Sequence, residues 1–158
     1  MHYDVVYDVA RHGYPGWIGV FGGVAFGVVA IASCRFRHSF RPASLRWIPC
    51  GLVGLSLLWL LVWTALTLPA YYSLRSALLR DECAVVEGIV TDFHPMARNG
   101  KGSESFEVSG VRFTYSDFVI TPGFHRTTYR GGPIRAGLHV RVHYRGQDIA
   151  RLEIARDD

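Results

Sequence analysis

The sequence predicts an α+β membrane protein in which two transmembrane helices form a hairpin and a small five-stranded antiparallel β-barrel follows. Three observations predict this fold class: two long apolar runs, a short Arg-rich segment between them, and alternating polar and apolar residues in the second half of the chain. The predicted parts, in order, are an exported N-terminal leader (residues 1–16), a first transmembrane helix (17–34), a cytoplasmic Arg-rich loop (35–46), a second transmembrane helix with a stalk (47–80) and a periplasmic β domain (81–158).

The two apolar runs have the length of membrane spans. Neither residues 13–34 nor residues 47–74 include an Asp, Glu, Lys or Arg. A helix rises about 1.5 Å per residue, so about 20 apolar residues cross the hydrocarbon core. Residues 17–33 are near the short end of that range, and residues 48–68 meet it. The alternative is a buried helical hairpin in a soluble protein, but residues 83–156 are too few to enclose two such helices.

The segment between the runs predicts their orientation. It reads CRFRHSFRPASLRW (residues 34–47) and has four Arg and no acidic residue, whereas the leader has a net charge of −1. From residue 70 onward, twelve Lys or Arg stand against eleven acidic residues. Short positively charged loops remain in the cytoplasm. We therefore expect a multi-pass protein of the bacterial inner membrane, with its N and C termini in the periplasm.

A lipoprotein is the competing interpretation of the first run. The sequence IASC (residues 31–34) matches a bacterial lipoprotein cleavage box, and cleavage before Cys34 would remove the first helix. The leader lacks the positive charge of a signal peptide, however, and four Arg would then have to cross the membrane. The three cysteines, at positions 34, 50 and 83, have no spacing typical of a disulfide framework or a zinc site.

A stripe of small residues lies on the first predicted helix. Gly19, Gly23 and Gly27 recur every fourth residue, which places them on one helix face where another backbone can approach closely. We expect this stripe to pack against the second helix, and a homodimer seam is the alternative. The second helix offers small residues of its own, namely Gly51, Gly54 and Ser56.

The second half of the chain predicts a β domain after a helical stalk. Leu74, Ala77 and Leu78 share a helix face in that stalk. Residues 106–113 alternate around a Ser-Gly turn, as in a β-hairpin, and residues 138–144 alternate throughout. About five short strands with turn signals every eight to twelve residues are typical of a small barrel. We expect an oligonucleotide/oligosaccharide-binding-like or an SH3-like barrel.

No catalytic motif is present in the sequence. It lacks His-Glu-x-x-His, Cys-x-x-Cys, Gly-x-Ser-x-Gly and a Walker loop, so we predict no catalytic residue, no metal and no cofactor. His139 and His143 share a strand face but are about 13 Å apart, too far for one ion. The near-neutral charge of the β domain also argues against nucleic acid as a partner.

Asp117 is the strongest candidate for a ligand-binding residue. In the phase of the preceding strand it points inward, where an unpaired carboxylate is costly. Either a bulge shifts the phase so that Phe118 and Ile120 turn in, or Asp117 is buried with a partner. Candidate partners are backbone donors, Arg126, Arg130 and Arg135. If Asp117 has a functional role, we expect Asp117, His125 and Arg135 to line a ligand pocket.

Six sequence segments, spread over most of the chain, together resemble a known protein family. They are YDVVYDVARHGYPGW, YYSLRSALLR, VVEGIVTDFHPM, ESFEVSGVRFTYSDFVITPGF, GGPIRAGLHVRVHY and IARLEI. Together they resemble a family of uncharacterised small bacterial membrane proteins. The resemblance implies an N-terminal two-helix hairpin and a C-terminal β domain, and it brings no activity and no catalytic residue.

The function expected from these observations is non-enzymatic. We expect a binding or assembly module whose partners are the lipid bilayer and another envelope protein, and homo-oligomerisation is compatible with it. The alternative is a small-ligand sensor or hydrolase with a pocket near Asp117, His125 and Arg135. A channel or transport subunit is disfavoured, because neither span contains an ionisable residue.

Overall fold

The computed structural model describes residues 2–35, 47–97 and 102–156. The chain is α+β, and it forms two compact units: a helical unit (Gly16–Pro69) and a β unit (Met1–Pro15 with Ala70–Asp158). The predicted Arg-rich loop, residues 35–46, lies outside the described residues except for the backbone of Arg35.

The described part of the chain contains three α-helices, six strands and a 3-10 turn at Thr128–Arg130. In chain order the helices and strands are β1 (His2–Asp8), α1 (Val9–His12), α2 (Trp17–Arg35), α3 (Ile48–Leu79), β2 (Ala84–His94), β3 (Glu104–Val108), β4 (Val111–Tyr115), β5 (His139–Arg145) and β6 (Asp148–Arg156). The last ten residues of α3 belong to the β unit.

The helical unit exposes its large apolar side chains. Among the described residues, two helices are long and apolar enough to cross a membrane. Ile18 in α2 is 83% exposed, and Leu66 in α3 is 71% exposed. In α3, only 6% of the most apolar stretch is buried. A core helix of a soluble domain would be mostly buried, whereas within the helical unit α2 and α3 leave most of these side chains uncovered by the described residues.

The β unit is built on an open, antiparallel, six-stranded sheet. The strand order is β1-β6-β5-β2-β3-β4, so β1 and β4 form the two edges. The predicted five-stranded barrel is therefore wrong. The reason is that β1, from the leader, pairs with the edge of β6, with His2 opposite Arg156, while β4 has no second neighbour among the described strands.

Strands predicted from local patterns are present. Phe106 pairs with Phe113 across the β3–β4 hairpin. Its turn residues, Ser109 and Gly110, have φ angles of 48° and 84°, as a type I′ turn requires. In β5, Val140 and Val142 are fully buried in the main core. The apolar alternation in the sequence therefore identifies the inner face of the sheet correctly.

The C-terminal end of α3 packs within the β unit. Leu74, Ala77 and Leu78 are buried, which confirms the helix face predicted from their spacing. Leu74 and Leu78 belong to a second apolar cluster that includes Val9 of α1 and Ala150 of β6. The predicted stalk is thus an integral part of the domain core rather than an isolated helix.

The leader is held in the sheet by a buried carboxylate, Asp8. It is 2% exposed and accepts a hydrogen bond from the backbone N–H of Ala10 at 2.8 Å, which caps α1. Its other oxygen accepts hydrogen bonds from Nη2 and Nε of Arg151 in β6, at 2.8 and 3.1 Å. That the leader belongs to the β domain was not predicted from the sequence.

Candidate functional site

A cavity of about 430 Å³ lies in the β unit. Its walls come from β1, α1 and the segment of residues 116–138, which connects β4 to β5. The polar residues lining it are Tyr7, His12, Asp117, His125, Arg126 and Arg130. A cavity with a few convergent polar groups is the usual form of a small-molecule site, so this is the candidate functional site of the chain.

The connecting segment lies close against the sheet at Gly123. A Cβ atom at this position would come within 2.8 Å of the carbonyl oxygen of Ile149, so only glycine allows this approach. The backbone N–H of Phe124 then donates a hydrogen bond to the same oxygen at 2.9 Å. The Phe124 ring packs edge-on against Tyr7 and Tyr115, which places His125 at the cavity wall.

Asp117 is buried and bonded to the connecting segment. Its side chain is 3% exposed, and it accepts hydrogen bonds from the N–H of Thr127 at 3.1 Å and from the Thr127 hydroxyl. Nε of Arg130 is 3.9 Å from Oδ2 of Asp117. Asp117 is therefore a buried carboxylate with partners. The predicted alternative, a bulge that turns Phe118 and Ile120 inward, is not observed, because both side chains are exposed.

A second buried carboxylate, Glu104, supports the same segment. It is fully buried and accepts hydrogen bonds from the hydroxyl of Tyr115 and from the N–H and hydroxyl of Thr128, the last two at 3.0 and 2.6 Å. Burial and the hydrogen bond to Glu104 raise the pKa of Tyr115, so this phenol remains a neutral donor. The sequence analysis missed Glu104, because its partner Thr128 is 24 residues away and no local pattern marks it.

The remaining polar groups of the cavity are histidines, arginines and a tyrosine. The Nδ1 atom of His125 lies 3.1 Å from the carbonyl oxygen of Gly123, and Nε of Arg126 donates to the carbonyl oxygen of Arg130 at 3.1 Å. Burial raises the pKa of Tyr7, so this phenol stays neutral. Arg126 and Arg130 are both exposed and can therefore meet a ligand from solution.

Two of the three predicted ligand-binding residues line the cavity. Asp117 and His125 do so, whereas Arg135 is exposed and does not belong to the lining. Arg126 and Arg130 supply the positive charge in its place. Arg130 was among the candidate partners predicted for Asp117, but its spacing in the sequence did not distinguish it from Arg135.

The available chemistry of the cavity favours binding an anion. Its single lining carboxylate, Asp117, already accepts two hydrogen bonds from Thr127, whereas the guanidinium groups of Arg126 and Arg130 face solvent. An engaged carboxylate of this kind is a poor general base or nucleophile. Within the described residues, no three His, Cys, Asp or Glu side chains are grouped so that they could hold a metal ion.

The glycine stripe of α2 faces α3. The hydroxyl of Ser56 donates to the carbonyl oxygen of Gly23 at 3.0 Å, and the indole N–H of Trp59 donates to that of Gly19 at 3.4 Å. A Cβ atom on Gly27 would be 2.7 Å from Oγ of Ser56. Added Cβ atoms on Gly51 and Gly54 of α3 would meet nothing within 4 Å. The groups that cover the stripe are therefore serine, leucine and tryptophan side chains, with Leu60 nearest to Gly23.

In comparisons with known proteins, no family model, no curated protein and no solved structure matches the chain. The function proposed below is argued from the residues and the geometry described above.

Proposed function

We propose that this chain is a membrane-anchored binding module of the bacterial envelope. In this proposal, α2 and α3 cross the inner membrane, and the β domain binds another envelope protein or supports an assembly. One observation carries the proposal: β1 precedes the helical hairpin, β6 follows it, and the two strands pair in one sheet. Both ends of the hairpin therefore connect to the same folded domain, as an even number of crossings requires.

The exposed apolar surface of the helices supports a lipid environment. Ile18, Phe21 and Val29 of α2 are 83, 66 and 63% exposed, and Leu61 of α3 is 66% exposed. Contiguous apolar surface of this extent is unfavourable in water and is rare on soluble monomers. In a bilayer the same side chains contact acyl chains, and the helical backbone satisfies its own hydrogen bonds.

The charge of the loop supports the orientation. Residues 34–47, between the helices, contain four Arg and no acidic residue, so the positive-inside rule keeps this segment in the cytoplasm. The β domain and both chain termini then lie in the periplasm. The family resemblance described above is compatible with this arrangement and belongs to the same proposal.

Two features of the β domain favour binding over catalysis. Its buried carboxylates, Glu104 and Asp117, accept hydrogen bonds from Thr127 and Thr128 and so hold the connecting segment in place. In addition, β4 is an edge strand, and no strand of the described residues lies on its outer side. An unpaired strand edge is the surface that a partner uses when it adds a strand to a sheet.

The membrane proposal is tested by topology and extraction. We expect alkaline phosphatase fused after Asp158 to be active and green fluorescent protein fused there to be dark. We also expect the native chain to stay with membranes after carbonate washing. A fluorescent, phosphatase-negative fusion would reverse the orientation, and a chain that is freely dispersed and monomeric without detergent would refute the anchor.

The partner proposal is tested by crosslinking in membranes. A tagged full-length chain is crosslinked in intact cells, solubilised and purified, and membranes with an untagged chain are the control. We expect one envelope protein to be enriched in the tagged sample. Repeated failure to enrich any protein other than the chain itself would contradict an assembly role.

A ligand sensor is a second candidate, and the cavity favours it. Asp117, His125, Arg126 and Arg130 line one cavity of about 430 Å³, which suits a small anion. We expect one class among phosphate, sulfate and small carboxylates to raise the melting temperature of the detergent-solubilised chain. That shift should disappear in Arg126→Gln and persist in Arg135→Gln, the exposed control outside the cavity. A stabilising anion that acts equally on both variants would exclude the cavity as its site.

A further inference from the structure

The turn after β4 exposes three consecutive large apolar side chains. Phe118, Val119 and Ile120 are 63, 54 and 55% exposed. The turn is closed by hydrogen bonds to Ser116, whose carbonyl oxygen accepts from the N–H of Val119 at 3.3 Å and whose hydroxyl accepts from that of Phe118 at 3.4 Å. Exposed turns usually consist of Gly, Pro, Asn, Asp and Ser, so this apolar turn needs an explanation beyond the fold.

Cationic and aromatic groups lie beside this apolar turn. The guanidinium carbon of Arg130 is 5.9 Å from the centre of the Phe118 ring, and the Arg130 side chain is 62% exposed. Tyr129, the preceding residue, is 59% exposed. An apolar tip next to exposed tyrosine and arginine is the arrangement that proteins use at the lipid–water interface.

The outward charge of the connecting segment is positive. Residues 116–138 contain three arginines, all exposed: Arg126, Arg130 and Arg135. The single acidic residue of this segment is Asp117, whose side chain is 3% exposed and hydrogen-bonded to Thr127. The surface of this segment therefore presents positive charge next to its apolar tip, which complements a layer of anionic headgroups.

We propose that the turn Phe118–Ile120 inserts into the surface of an anionic bilayer, with Arg126 and Arg130 on the lipid headgroups. This inference rests on the proposed membrane anchor, because a domain tethered to a bilayer meets that surface at a high effective concentration. It goes beyond the anchor by assigning a lipid-binding face to the β domain itself. A lipid surface fits better than a protein partner, since it satisfies the apolar tip and the flanking cations together.

The position of the turn is measured on the full chain in nanodiscs. Cys34, Cys50 and Cys83 are replaced by Ser, and Val119→Cys receives an environment-sensitive fluorophore. Discs of phosphatidylcholine alone are compared with discs that also contain phosphatidylglycerol. We expect a blue-shifted emission and quenching by nitroxide-labelled lipid in the phosphatidylglycerol discs. Thr114→Cys, at an exposed position of β4, is the matched control and should report water in both discs.

The role of charge is measured by substitution and by salt. Arg126→Gln with Arg130→Gln should return the emission to its aqueous position. Arg112→Gln should leave it unchanged, because that guanidinium is already paired with Asp92 and Glu107. Salt at about 1 M shortens the screening length to about 3 Å. It should reverse the emission shift of the labelled protein that keeps all its arginines. This last measurement stands even if an arginine variant folds poorly.

The outcomes separate this inference from the anchor. A chain that enters the discs while the probe at position 119 remains aqueous overturns the lipid-binding face and leaves the anchor intact; the apolar turn would then belong to a protein partner. An equal shift in both kinds of disc overturns the assignment to anionic lipid. A chain that does not enter the discs refutes the anchor and the inference together.

Discussion

The helical unit and the β unit place their apolar residues in opposite ways. In the helical unit, large side chains such as Leu66 point outward, and the helices meet through Gly23 and Ser56. In the β unit, Phe106 and Phe113 are fully buried and meet in the core. The difference shows that one chain contains two packing arrangements, one that buries its large apolar side chains and one that leaves most of them exposed. Burial of large apolar side chains holds the β unit together, whereas in the helix pair the side chains of Ser56, Trp59 and Leu60 pack on the glycine stripe of α2.

The two units also satisfy their polar groups differently. In the helical unit, the Trp59 indole and the Ser56 hydroxyl donate to backbone carbonyls of α2. In the β unit, the interior polar groups include the carboxylates Asp8 and Glu104, each with several donors around it. Removing a charged acceptor leaves more unsatisfied donors than removing a hydroxyl. We therefore expect the largest stability losses in the β unit.

Glu104→Ala should have the largest effect. The substitution leaves the hydroxyl of Tyr115 and both donors of Thr128 without an acceptor, in a fully buried position. We expect the free energy of unfolding of the β unit to fall by ~3–5 kcal/mol, measured by thermal denaturation in detergent. Glu107→Ala on the same strand is the control, since its partly exposed side chain should cost less than ~1 kcal/mol. Equal losses would refute the network.

Asp8→Ala tests whether the leader is part of the domain. The change removes the cap of α1 and both hydrogen bonds to Arg151, so we expect a loss of ~2–3 kcal/mol and faster proteolysis of the leader. Asp4→Ala, in the same strand, removes only an exposed pair with Arg156 and should cost less than ~1 kcal/mol. A leader that is cleaved equally in both variants would argue against the β1–β6 pairing.

Gly19→Leu tests the close approach of the helices. A side chain at Gly19 would meet the Trp63 ring, whereas one at Gly22 would meet nothing within 4 Å. We expect Gly19→Leu to destabilise the helix pair by ~1–3 kcal/mol in a denaturing-detergent titration followed by tryptophan fluorescence. Gly22→Leu should be close to neutral. The opposite order would place the packing face of α2 on its other side.

His143 should give the smallest effect, as a dependence of stability on pH. Burial lowers its pKa below the ordinary value, while Glu153 acts in the opposite direction. Because the unfolded chain binds this proton near pH 6.5 and the folded chain binds it only at lower pH, stability is constant above about pH 6.5 and falls below it. His143→Gln should flatten this fall in a melting series between about pH 8 and 5, and an unchanged fall would exclude His143 as its source.

Features with a local pattern were predictable from the sequence. The β3–β4 hairpin has a Ser-Gly turn between alternating residues, and β5 alternates throughout, so each strand contains its own signal. The two long helices are also visible as runs without ionisable residues. In all of these, the physical cause lies within the segment itself, namely backbone preference or the period of its apolar residues.

Features that depend on distant partners were not predictable. β1 is a strand because it pairs with β6, which follows it by more than 130 residues in the chain. This pairing adds a sixth strand, so the sheet is open where a five-stranded barrel was expected. Glu104 is buried because Thr128 approaches it from another segment. The choice of Arg130 over Arg135 at the cavity depends on the path of residues 116–138, which contain no regular strand.

The pairing of β1 with β6 has a consequence for the order of assembly. A ribosome makes β1 first and β6 last, and the register joins His2 to Arg156. β1 therefore lacks its neighbouring strand until the helices and strands β2 to β5 have been synthesised. Contacts so distant in sequence close slowly, so we expect the pairing of β1 with β6 to be a late step of folding.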